Sequence, residues 1–160
     1  MTRSLYGKLC ADPSNVIQTG LWNAKVPVKV RIFLWQLATG RLPTNDQLLI
    51  RHGPSNGQCA LCQQGEDADH IFFKCALAEF VWSGLRDMFN TSWHPRCYPD
   101  LEQILGTFKG KRGRVLRVFA AVCWALWLIR NKYSTEAIFP KQPDDCIFKI
   151  LILYSCGKRC

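Results

Sequence analysis

Four residues are of the right types, and close enough together, to hold a metal: Cys59, Cys62, His70 and Cys75. They fall in C-A-L-C-Q-Q-G-E-D-A-D-H-I-F-F-K-C, a Cys-x2-Cys-x7-His-x4-Cys spacing. Thiolate sulfur and imidazole nitrogen are donors that zinc favours, and four of them close a tetrahedral shell. A closed shell leaves no position for water or substrate. The pattern therefore points to one structural Zn2+, not to a catalytic centre.

A Cys-x2-Cys turn brings two sulfurs to one side of a tight loop. The polar stretch from Gln63 to Asp69, with Gly65 in it, can turn the chain back. Ile71, Phe72 and Phe73 then lie between the last two ligands and can floor the site. The alternatives are four unrelated buried residues, since free cysteine packs as a small hydrophobe, or disulfides. The chain has nine cysteines, an odd number that argues against a complete disulfide framework. Cys10, Cys97, Cys123, Cys146, Cys156 and Cys160 have no metal-ligand spacing. No secretory leader is evident, so an intracellular, reducing compartment is expected, nucleus and cytoplasm being indistinguishable. Glu66 and Asp69 precede His70. Either one accepts the free imidazole N–H, or the stretch is a solvated acidic turn. His52 and His94 stand apart from the cysteines and read as surface or loop histidines.

The net charge is +9 over 160 residues, and it is unevenly spread. Residues 1–58 carry seven basic and two acidic residues, whereas residues 59–107 carry three basic and seven acidic ones. Residues 108–133 carry seven basic residues and no acidic one. Two basic segments flanking an acidic one suit a polyanion, RNA or DNA. Lys109, Lys111, Arg112, Arg114 and Arg117 form the densest cluster and would contact phosphates without reading sequence. The alternative is a solvated linker. Lys25, Lys29, Arg31 and Arg41 form a looser set. Among the tryptophans, Trp22, Trp35, Trp82, Trp124 and Trp127 read as core, and Trp93 is the better candidate for stacking on a base. The longest apolar run, Val118 to Ile129, has 12 residues, whereas a membrane span needs about 20. No membrane and no small-molecule substrate is expected.

Helices must position the metal loop. Leu5, Tyr6 and Leu9 sit at helical spacing in residues 2–10. Val30, Phe33, Leu34 and Leu37 recur as one helical stripe, and Gly40 is a stop. Thr44 and Gln47 have capping-box spacing, with Leu48 and Leu49 facing inward and Gly53 ending that helix. After Cys75, the residues Leu77, Phe80, Val81, Leu85, Met88 and Phe89 align. Leu101 to Leu105 suits a short helix. Residues 115–131 make a strong helix, with Val115, Val118, Phe119, Val122, Leu126 and Ile129 on one face. Ile147 to Tyr154 fits strand or helix. The expected fold is mostly α: a small helical domain organised around one structural zinc loop, with a trailing Trp-rich helix. Its segments are a helical lead-in (1–20), the zinc-binding domain (21–90), a loop and basic linker (91–114), the Trp-rich helix (115–139) and an unassigned tail (140–160).

A longer string of residues carries a resemblance. It includes L-W at 21–22, V-P-V-K-V at 26–30, F-L-W-Q-L-A-T-G-R-L-P-T-N-D-Q-L at 33–48, Arg51, the four ligands and Val81-Trp82. This string resembles the zinc-binding domain downstream of the reverse transcriptase in plant LINE-type (non-LTR) retrotransposons. W-A-L-W-L-I-R-N at 124–131 is similar to the helix that trails that domain. The resemblance implies a non-catalytic zinc module once joined to a polymerase, which handles element RNA and target DNA. The alternatives are a structural or protein-interaction zinc module docking on a neighbouring polymerase domain, the reverse transcriptase of the parent element, or a non-functional retroelement remnant. No polymerase Asp-Asp pair in a Tyr/Phe-x-Asp-Asp setting is found, nor a ribonuclease H acidic set, so no enzyme activity is expected.

Overall fold

A computed structural model describes residues 25–92, 94–98, 100–107, 110–139, 145–147, 150 and 152. The expected lead-in helix, Trp22, Trp93, Lys109 and most of the tail lie outside the described residues. The described residues include five helices and one π turn, α1 (Val28–Ala38), α2 (Asn45–Ile50), the π turn (His70–Lys74), α3 (Ala76–Phe89), α4 (Asp100–Thr107) and α5 (Arg112–Glu136), besides helical residues in the tail. The described residues form no strand, only one antiparallel bridge between Gln58 and Gly65. The mostly α expectation holds.

The periodic stripe of α1 becomes its buried face: Val30, Phe33, Leu34 and Leu37. Pro27 starts the helix, its carbonyl accepting the amides of Val30 and Arg31. Gly40 stops it from the left-handed region at φ 62°. There the Gly40 amide donates to Leu37 O and the Arg41 amide to Gln36 O, the paired bonds of a Schellman ending.

The capping box at α2 does not form. The Thr44 hydroxyl hydrogen-bonds the Asp46 carboxylate instead. The free amides are taken by Glu66 from the metal loop: its Oε1 accepts Asn45 N at 2.9 Å, and its carbonyl accepts Asp46 N at 3.1 Å. A carboxylate at a helix N-terminus gains more from the dipole than a hydroxyl does. Leu48 is half-buried and Leu49 is 51% exposed, against expectation. The inward positions on this stretch belong to Leu42 and Thr44. The helix ends at Ile50, and the left-handed residue of its ending is His52, at φ 55°, with Gly53 one position further on. The Gly53 amide donates to Leu48 O, and a Cβ there would meet that oxygen at 3.1 Å.

On α3 the buried face is Ala78, Val81, Trp82 and Leu85. Of the expected stripe, Val81 and Leu85 are buried and Leu77 is half-buried. Phe80, Met88 and Phe89 are exposed. Trp82 sets the rotation. Its indole Nε1 donates to Phe72 O at 2.8 Å, and its ring stacks on Phe73 and Phe119. Burying so large a ring outweighs exposing Phe80 and Met88.

Helix α5 carries every residue of its expected stripe into the core and is longer at both ends than the periodicity indicates. Ala120, Ala121, Cys123 and Ala125 are buried as well, because α1, α3, α4 and the π turn all pack on it. Phe33, Phe72, Trp124 and Trp127 meet at one end of this core, and Phe73, Trp82 and Phe119 at the other. Trp127 and Trp82 are thus core, while Trp35 and Trp124 are half-buried. The described tail residues are helical, with Cys146 and Ile150 buried. No helix among the described residues is long and apolar enough to cross a membrane.

Candidate metal centre

The first two donors sit in a hairpin. Gln63 N donates to Cys59 O at 2.8 Å and Cys59 N to Gln64 O at 2.7 Å. One step outward, Glu66 N reaches Gly57 O at 2.9 Å. These bonds aim the Cys59 and Cys62 side chains to one side. The left-handed residue of the turn is Gln63, at φ 63°, and not Gly65.

The second pair sits on the π turn. Asp67 Oδ1 accepts His70 N at 2.6 Å, which starts the turn and fixes where His70 stands. The wide bond from Cys75 N to His70 O, at 2.7 Å, closes it. A wide turn lets both ligands return to one side while Ile71, Phe72 and Phe73 enter the core. Such turns gather at functional sites. The expected floor of the site is therefore in place.

The three sulfurs and the imidazole nitrogen all lie within 4.8 Å of one another. Cys62 Sγ is 3.1 Å from His70 Nε2. Cys59, His70 and Cys75 are buried and Cys62 is half-buried. A tetrahedral zinc shell places such donors about 3.5–3.8 Å apart, so small shifts bring the four onto one ion. All three cysteines are free thiols. The hydrogen bond with Cys75 holds the Cys59 thiol well below its usual range. The same bond and burial push Cys75 up. A divalent cation would hold both as thiolates. The donor set, its convergence and its burial fit zinc.

Of the two acidic residues before His70, Asp69 stays in the solvated turn and only Glu66 departs from both expectations. Neither Glu66 nor Asp69 hydrogen-bonds the imidazole among the described residues. Asp69 pairs with Lys74 at 3.6 Å on the surface. Glu66 is not a solvated turn residue: it is 1% exposed. Its carboxylate binds the Arg130 guanidinium through both oxygens, Nε to Oε2 at 3.2 Å and Nη2 to Oε1. Sequence reasoning missed this pair. The available signal was Arg130 standing three residues after Trp127 and four after Leu126, on the buried side of an apolar helix.

Of the basic cluster, Lys111, Arg112 and Arg114 are exposed at the start of α5, and Arg117 is half-buried. The first turn of α5 has no acidic residue. In the looser set, Lys29 lies over the Trp124 ring and Arg41 over Trp35, while Lys25 is exposed and Arg31 half-buried. His52 is exposed and His94 half-buried, and neither belongs to the metal cluster.

The family model described as zinc-binding in reverse transcriptase matches residues 1–82, just over half of the chain, and all four donors lie inside the match. No curated protein and no solved structure matches the chain. On that family match the chain belongs to the zinc-binding domains of reverse transcriptases.

Proposed function

We propose that the chain is a zinc-stabilised accessory module of a LINE-type (non-LTR) retrotransposon reverse transcriptase, of plant origin, and that it binds RNA or DNA. The observation that carries the reading is the convergence of Cys59, Cys62, His70 and Cys75 within 4.8 Å. One Zn2+ held there would be structural, since all four positions of its shell are filled by protein. Nucleic-acid binding is supported by the exposed Lys111, Arg112 and Arg114, with no acid in the first turn of α5. These cations would neutralise phosphates and release counterions. Lys109 and Arg117 extend the same stretch of sequence.

The test has two stages. Native mass spectrometry should give one zinc per wild-type chain and none for Cys62→Ser or His70→Ala. Binding of single-stranded RNA and duplex DNA is then titrated against salt. Neutralising Lys111, Arg112 and Arg114 together should weaken binding and flatten the log–log salt slope by about 2–3. A second reading makes the module a docking piece for the polymerase domain. It is favoured by Phe80, Met88 and Phe89, exposed along α3. Full zinc loading with no salt-sensitive affinity for either nucleic acid would select it.

A further inference from the structure

The family match ends at residue 82, yet the metal loop is fastened to α5 on both of its sides. On the side of Cys59 and Cys62, Glu66 ends the hairpin: its amide donates to Gly57 O, and its carboxylate binds Arg130. On the side of His70 and Cys75, Phe72 lies against Trp127, ring centroids 6.4 Å apart. Arg130 is itself held in place. Its Nη1 donates to Asn131 Oδ1 at 2.9 Å, and its guanidinium lies 5.5 Å from the Trp127 ring centroid. The side chains of Arg130 and Glu66 are 10% and 0% exposed.

We infer that Arg130 is a positioning residue for the metal centre, so the functional zinc module extends through α5. The inference rests on the zinc reading above. A buried ion pair is a poor source of net stability, because desolvating both charges offsets their attraction. What this pair supplies is placement. It fixes Glu66, and Glu66 fixes three things together: the hairpin bearing Cys59 and Cys62, the N-terminus of α2 through Asn45 N, and the start of the segment leading to His70. Partners that orient metal-bearing groups from outside the ligand shell change metal affinity about 10–100-fold when removed. The same range is expected here, although Glu66 acts through the backbone and touches no ligand.

The test measures transfer of zinc from the full chain to a chelator, with visible spectra of the Co2+-loaded protein, for wild type, Arg130→Met, Arg130→Lys and Val118→Ala. Val118 is buried on α5 several turns before Arg130, and its truncation serves as the control for lost stability alone. All are compared at a temperature where far-UV circular dichroism shows them folded. Arg130→Met should release zinc about 10–100 times faster than wild type, with altered Co2+ bands. Arg130→Lys should fall between them. Val118→Ala should release at the wild-type rate despite a lower Tm. Wild-type release from Arg130→Met, or release rates that simply track Tm across all variants, overturns the inference. If Arg130→Met does not fold, Arg130→Lys against Val118→Ala decides by the same criteria. A wild-type chain that takes up neither Zn2+ nor Co2+ overturns the zinc reading together with this one.

Discussion

The metal loop and α5 touch, yet they are held by different forces. Between Gly57 and Asp69 the chain has one bridge and a few backbone bonds. Gln58, Gln63, Gln64, Gly65 and Asp67 are exposed there. Helix α5 buries thirteen of its 25 residues and takes its order from apolar area. The loop cannot do the same, because its polar residues leave too little apolar surface to offset the entropy of ordering it. A metal held by the four donors would supply the missing term locally. The difference teaches that the domain has two sources of order, joined where Arg130 and Trp127 meet the loop.

The strongest way to break this comparison is to remove the metal. Chelation of the zinc-loaded chain should expose the amides of Cys59, Gln63 and Glu66 to hydrogen exchange. Those of α5 from Phe119 to Leu126 should stay protected. Apparent stabilisation by zinc is on the order of 10 kcal/mol in finger peptides, and the α5 core takes part of that load here. Equal loss of protection in both regions would show one cooperative unit, not two sources of order. The converse cut is Trp82→Ala, which removes a ring that is 1% exposed and its bond to Phe72 O. It should lower stability by about 3–5 kcal/mol in chemical denaturation, while the folded fraction still binds one zinc. Failure to bind metal in that folded fraction would make Trp82 part of the metal centre's support.

Acid and alkali should separate the two regions as well. Zinc requires its cysteines as thiolates, so protons compete with it and metal-dependent stability falls as pH drops below neutrality. Without metal the two loop thiols act in different windows. Cys59, held low by its hydrogen bond with Cys75, adds stability that is lost as pH falls towards its folded value, and Cys75, pushed up by the same bond and by burial, adds a decline above the ordinary thiol range. In α5 only the alkaline decline is present. Burial pushes the Cys123 thiol well above its usual range. Above that ordinary range the unfolded chain releases this proton and the folded chain keeps it. Stability conferred by the core then declines as pH rises. Denaturation midpoints of the zinc-loaded, zinc-free and Cys123→Ala chains across pH test this. Cys123→Ala should flatten the alkaline arm alone, and a loss of the acid arm in that variant would contradict the assignment.

The convergence of the four donors was legible because metal chemistry restricts residue type and spacing at once. The buried stripes of α1 and α5 were legible because 3.6-residue periodicity survives packing on a single broad face. Helix α3 misled because a tryptophan with a hydrogen bond to make outweighs several smaller apolar residues, and periodicity weighs them alike. The Thr44 capping box misled because a local pattern cannot show a distant carboxylate competing for the same amides. Glu66 and Arg130 lie 64 residues apart. Two charges at that separation carry no spacing rule, so their pairing waits on the fold.

The finest contrast is between two left-handed turns. Gly40 ends α1 at φ 62°, and Gln63 closes the metal hairpin at φ 63°. One is a glycine and one is not, for the same backbone. A side chain there costs about 1–2 kcal/mol, so Gly40→Ala should lower stability by about 1 kcal/mol, with no atom within 4 Å to clash. Gln63→Gly should do the opposite, by less. It relieves the strain but frees the unfolded chain and gives up the bond from Gln63 Nε2 to Ala60 O, which is long at 3.3 Å and exposed. The expected net gain is below about 1 kcal/mol, seen as slower zinc transfer to a chelator with an unchanged far-UV spectrum. Faster transfer from Gln63→Gly would mean that the glutamine side chain, and not the turn, holds the hairpin in register for the metal.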